Sequence, residues 1–133
     1  MADRSLDVLT KIRTALLANN TLNTLIGGRI VYAVPQQTAY PFIIMRVEMT
    51  PNDTKTEVGG DYLVRIQAFD TALDQKSMLQ IKSEIYNTLH RNESNIALSG
   101  LIQCIQQGVN QVMKEPDLKS WFLTVDYRLL VEG

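Results

Sequence analysis

The chain has 133 residues, 45% hydrophobic and 20% charged, with 13 basic and 14 acidic side chains and a formal net charge of −1. That balance excludes a disordered or fibrous chain and any global attraction to a polyanion, so nucleic-acid binding would need a local basic patch. The length is that of one ordinary domain, 1–133, which buries roughly two-thirds of its unfolded surface, enough for a core without staples. The single cysteine, Cys104, permits no internal disulfide and fits a reducing cytoplasm. The first residues carry Asp3, Arg4 and Asp7 instead of an apolar signal core. No run approaches the ~20 apolar residues of a membrane span. The expectation is a soluble, intracellular domain.

Taken in order, Ser5 to Ala18 reads as a helix. Leu6, Leu9, Ile12 and Leu16 recur at three- and four-residue steps, widened by Val8 and Ala15. Asn19 and Asn20 end it. A short turn, Thr21 to Ile26, stops at Gly27 and Gly28, a pair suited to left-handed backbone. Arg29 to Val34 is β-branched and aromatic and predicts a short strand that Pro35 stops.

Pro41 to Asp70 predicts a hairpin. Ile43, Met45, Val47 and Met49 share one face of its first strand, opposite Ile44, Arg46, Glu48 and Thr50. In its second strand Tyr62, Val64, Ile66 and Ala68 oppose Arg65 and Gln67. Side chains alternate across a strand, so a period of two gives one apolar and one largely polar face. The connector, Pro51 to Gly60, carries turn chemistry at both ends and predicts a long mobile tip containing Asn52, Asp53, Thr54, Lys55, Thr56 and Glu57.

Thr71 with Asp74 three residues on resembles a capping box. The helix it opens runs to about Arg91 on a stripe of Met78, Ile81, Ile85 and Leu89, and Asn92 to Asn95 is a polar break. Leu101 to Met113 reads as extended, with Gly108 a candidate bulge, and Glu115-Pro116-Asp117 as a turn. From Trp121 the apolar set Trp121, Leu123, Val125, Tyr127, Leu129 and Val131 alternates with Phe122, Thr124, Asp126, Arg128 and Leu130. The fold class expected is α+β: an antiparallel sheet of two long hairpins plus a short strand, with two helices packed on one face.

Reactive chemistry is sparse. His90, the one histidine, sits at a helix end, where a surface or capping role outweighs a metal site lacking partner ligands. Cys104 shares its stretch with Ile102 and reads as a small buried thiol, with no base in view to make it a nucleophile. Ser99-Gly100 and Gly27-Gly28 match no nucleophile elbow, phosphate loop or dinucleotide fingerprint. Asp53, Glu57 and Asp61 lack the ligand spacing of a calcium loop, with Lys55 between them. Trp121, Phe122 and Tyr127 invite comparison with an RNA-binding platform, but Trp121 and Tyr127 fall on the face the helices should cover. No catalytic, cofactor or metal residue is expected. What remains is the second sheet face, carrying Arg46, Glu48, Arg65, Gln67, Asp126 and Arg128 beside Thr124. Mixed charge with a few apolar residues suits a self-complementary interface, and edge strands leave backbone groups that invite a neighbour.

The order of residues also resembles a known family. "GRIVYAVPQQTAYPFII" follows a Leu-rich helix, a hairpin and a helix after Phe69-Asp70 come next, and the last strand holds "VDYR". Over nearly the whole chain this is similar to the tail-completion or tail-terminator proteins of long-tailed phages, prophages and gene transfer agents. The resemblance implies a small α+β subunit, without cofactor or catalysis, that forms a ring, typically a hexamer, on the head-proximal end of the tail tube. The ring would stop tube polymerisation and join the head. Implied partners are other copies, the tail tube protein and a head-completion or connector protein, with no membrane and no direct nucleic-acid readout. The implied location is the tail–head junction of the virion, after assembly in the host cytoplasm. The rival readings are a nucleic-acid-binding module using the open face, another head–tail connector component, and, third, an enzyme with His90 and Cys104 in one deep pocket.

Overall fold

The computed structural model describes residues 5–32, 41–53, 58–70, 76–98, 101–114 and 121–131, with backbone alone at 49–53, 58–59, 108–111 and 113–114. Helix α1 spans Ser5–Ala18 and buries Val8, Ile12, Ala15 and Leu16. The stripe is turned slightly from the expected one: Leu6 is 73% exposed, while Val8 takes the inward position one step round. Asn19 then begins a second helix, α2, Asn20–Ile26. Its Oδ1 accepts from the Leu22 N–H at 3.0 Å, satisfying one of the orphan donors of a helix start. Its Nδ2 donates to Glu84 Oε2 at 3.0 Å and Thr88 Oγ1 at 2.8 Å, so one side chain caps α2 and ties it to a helix far along the chain. Gly27, at φ 59°, ends α2 in the left-handed region.

Five strands follow: β1 Ile30–Val31, β2 Phe42–Asp53, β3 Val58–Asp70, β4 Leu101–Lys114 and β5 Trp121–Val131. Between β3 and β4 lie α3, Lys76–Leu89, and a one-turn helix α4, Glu93–Ile96. The sheet order is β1-β2-β3-β5-β4. The final strand thus enters the middle of the sheet and leaves β4 at the edge. The pairing is antiparallel except β1, which runs parallel to β2 through Ile30↔Ile43 and Val31↔Ile44. Helices of both chain halves pack on one face. The core joins Ile12, Leu16, Leu22, Ile26, Ile81 and Ile85 to Ile43, Met45, Tyr62, Val64, Ile66, Leu123, Val125, Tyr127 and Leu129.

The α+β expectation holds, with corrections of detail. There are four helices among the described residues, where two were expected, because capping by Asn19 and a left-handed Ala97 (φ 54°) at its end let short turns close as α2 and α4. The first short strand is two residues long. The β2–β3 ladder runs on through Pro51↔Gly60, Asn52↔Gly59 and Asp53↔Val58. Asn52 and Asp53 are therefore strand residues and not part of a long loop; backbone pairing extended past the point where turn-forming residues begin. Thr54 to Glu57, the Thr71–Asp74 box and the Glu115–Asp117 turn lie outside the described residues. The register of β4 shifts between Gln107 and Gln111, around Gly108 as expected, and also between Leu101 and Gln103, which puts Ile102 in a bulge, 51% exposed.

Candidate assembly surface

Among the described residues the sheet face away from the helices is built in cross-strand rows, because the three central strands are in register. At one end Phe42, Phe69 and Phe122 lie side by side. Their rings stack, with centroids 5.2 Å apart for Phe42 and Phe69 and 6.2 Å for Phe69 and Phe122. Next comes Ile44–Gln67–Thr124, where Gln67 Nε2 donates to Thr124 Oγ1 at 3.4 Å. The third row is Arg46–Arg65–Asp126, and the fourth Glu48–Leu63–Arg128. All six side chains singled out in the sequence, Arg46, Glu48, Arg65, Gln67, Asp126 and Arg128, stand on this face.

The electrostatics of the rows are uneven. Arg46 and Arg65 are directly opposite each other, and like charges in that position repel. Asp126 compensates for Arg65 through a two-pronged contact, Nε to Oδ1 at 2.9 Å and Nη2 to Oδ2 at 3.2 Å. That hydrogen bond, and then the Asp126 charge, hold the Arg65 guanidinium above its ordinary pKa; burial opposes them, and Glu48 adds to them. Arg128 is held by Asp61, Nη2 to Oδ2 at 2.6 Å and Nε to Oδ1 at 2.8 Å. Arg46 and Glu48 are exposed and have no hydrogen bond or salt bridge among the described residues. They place two opposite charges two residues apart on the exposed side of β2.

Asp61, which lacks the spacing of a calcium-loop ligand, is an ion-pair partner reached by Arg128 from β5. No group of three metal-binding side chains occurs among the described residues. Cys104 is fully buried, and burial, reinforced by the Glu93 charge, pushes its thiol up to about 12, the wrong direction for a nucleophile. His90 follows α3 and accepts a backbone hydrogen bond from Gln106. The surface hollow beside this corner, about 510 Å³, is lined by Arg91, Glu93, Ile102 and Gln103, and neither His90 nor Cys104 lines it. Tyr127 is fully buried and Trp121 packs against the core, so neither offers a stacking platform. None of the described helices is long and apolar enough to cross a membrane.

The family model of tail completion protein gp17 matches residues 10–132, nearly the whole chain. The chain belongs to that family. Among solved structures, a chain of the "Virion of native gene transfer agent (GTA) particle" has the same fold: TM-score 0.82 over 99% of this chain and 100% of that one, at 16% identity. No curated protein matches the sequence. In this tail completion protein, sequence reasoning missed the phenylalanine row and the Arg128–Asp61 pair. The first was visible in principle, since Phe42, Phe69 and Phe122 have the parity of the polar face. The second needed the register between β3 and β5, which no local pattern supplies.

Proposed function

We propose that this tail completion protein is a ring-forming tail terminator, working without a chemical reaction. Copies close on the last ring of the tail tube, block further addition of tube protein, and offer a new end to the head-completion or connector protein. The observation that carries this reading is the open sheet face, where paired charges fix the central rows and Arg46 and Glu48 are exposed without an ion pair among the described residues. Opposite free charges on one strand let a surface meet a copy of itself or a mixed-charge partner, and penalise wrong docking. Family membership supports the tail-completion role. The fold shared with a chain of a gene transfer agent virion supports a place in the particle. A hexamer is the ring size the family resemblance favours, and assembly would take place in the host cytoplasm. A nucleic-acid module is the weaker reading, since Asp126 and Asp61 already neutralise two of the three arginines a phosphate backbone would need.

Deleting the gene from its phage or prophage tests the role. Expected are tails of uncontrolled length that do not join filled heads, seen by electron microscopy, with rescue by the intact chain. Arg46→Glu with Glu48→Arg separately tests the surface: each single variant should fold yet fail to rescue. Normal, head-joined tails in the absence of the protein would overturn the reading.

A further inference from the structure

The outer edge of β4 is closed at one point by the corner between α3 and α4. The Arg91 N–H donates to the Cys104 carbonyl at 2.7 Å, the Cys104 N–H to Glu93 Oε1 at 3.2 Å, and the Gln106 N–H to His90 Nδ1 at 3.0 Å. Alternate residues of an edge strand turn their N–H and C=O groups outward, and these are the groups an added strand would take. The corner occupies them at two successive outward positions, Cys104 and Gln106. Arg91, at φ 55°, makes the sharp bend that allows this. The His90 ring is steadied by stacking on Tyr86, centroids 4.4 Å apart and planes 13° from parallel.

We propose that this corner is a latch on the β4 edge, with His90 as its acid-sensitive pin. Nδ1 accepts from Gln106 only while it carries no proton, so the latched ring is neutral with its hydrogen on Nε2. Protonation adds a hydrogen to Nδ1, which then meets the Gln106 N–H donor against donor. The bond is lost, and the Gln106 N–H is released toward solvent or an incoming strand. Among the described residues, the charged and titratable groups of this corner and the strands beside it are Tyr86, stacked on the ring from its own helix, Arg91 and Glu93 in the corner, Cys104 on β4 and Tyr127 on β5. Burial raises the Cys104 thiol to about 12 and likewise pushes the Tyr127 hydroxyl up, so both stay neutral while an imidazole titrates. The Cys104–Glu93 bond is an internal control, because carboxylates as a class protonate at lower pH than imidazoles. The latch is a property of the single chain and stands or falls independently of ring formation.

Amide hydrogen exchange on the free, full-length chain tests it, read as protection relative to the intrinsic rate from about pH 8 to about pH 5, where imidazoles titrate. Gln106 should lose protection about tenfold as His90 protonates, the loss of a hydrogen bond plus a new repulsion, while Cys104 and Val125 hold theirs. Nitrogen chemical shifts of the ring should report the Nε2–H tautomer at neutral pH. His90→Asn places an amide oxygen near the Nδ1 position without a titrating group, and should keep Gln106 protected at every pH. His90→Ala should expose it at every pH. An Nδ1–H tautomer, a Gln106 amide indifferent to pH, or a loss shared by Val125 or by His90→Asn would overturn the proposal.

Discussion

Arg65, Ile66 and Gln67 are neighbours on β3, yet they live under different rules. Ile66 points into the helices and is fully buried among apolar side chains. Arg65 and Gln67 point the other way, where their partners are single polar groups on β5. The helix side holds the fold by area removed from water, at about 25 cal/mol per Å². On the open side Phe42 and Ile44 are buried at the aromatic end, but the charged rows beyond them add little to stability, because solvent screens exposed ion pairs. What the open side supplies is a fixed pattern of charge. The comparison implies that the helix side and the charged rows of the open side can be damaged separately, one at the cost of folding and the other at the cost of association.

The largest effect should come from Ile66→Ala. Truncating a fully buried isoleucine costs about 2–5 kcal/mol, because the cavity cannot collapse between sheet and helices; urea denaturation should show the midpoint falling with an unchanged slope. A loss below 1 kcal/mol, as an order-of-magnitude bound, would mean the helix side is not the close-packed half. Gly60→Ala comes next. A Cβ there would meet the Tyr62 ring, at 2.5 Å from Cε2 and 2.9 Å from Cζ, and Tyr62 is fully buried with no room to swing aside. Overpacking of this kind costs about 1–3 kcal/mol, measurable by thermal unfolding.

On the open face, removing Arg65 or Asp126 should change monomer stability by no more than about 1 kcal/mol, since the Arg65 side chain is 41% exposed and solvent screens the pair. A double-mutant cycle isolates the coupling, and the same variants should fail in tail assembly. Failure to assemble with an intact fold would sharpen the division between faces. The smallest effect belongs to Tyr127→Phe. The buried Tyr127 hydroxyl has no hydrogen-bond partner among the described residues, so its removal should be neutral or stabilise by up to about 1 kcal/mol, again by urea titration. A clear loss would reveal a partner for that hydroxyl and place a polar contact inside the apolar half.

Much of this was legible without coordinates wherever the information is local. The period of two in β5 put Trp121, Leu123, Val125, Tyr127, Leu129 and Val131 on one side, and the structure packs all six against the core. The helix stripe of α3 and the bulge near Gly108 were equally readable, and that of α1 was readable but for Leu6, since each depends on neighbours within a few residues. The candidate surface was half legible. Parity alone assigned Arg46, Glu48, Arg65, Gln67, Asp126 and Arg128 to one face. Which of them neutralise each other was hidden, because Arg65 meets Asp126 only when β5 lies beside β3, some sixty positions away in the chain.

Alternation and turn chemistry by themselves determined the strands, their two faces and the positions of the main helices, since backbone geometry repeats at fixed short intervals. Tertiary structure alone decided that β5 enters between β3 and β4, that the edge of β4 is fastened by His90 and Glu93, and that Arg65 and Arg128, unlike Arg46, find ion-pair partners among the described residues. Those outcomes depend on strand order and register. Both are selected by how the whole apolar set buries itself at once, and no short window of residues carries that sum.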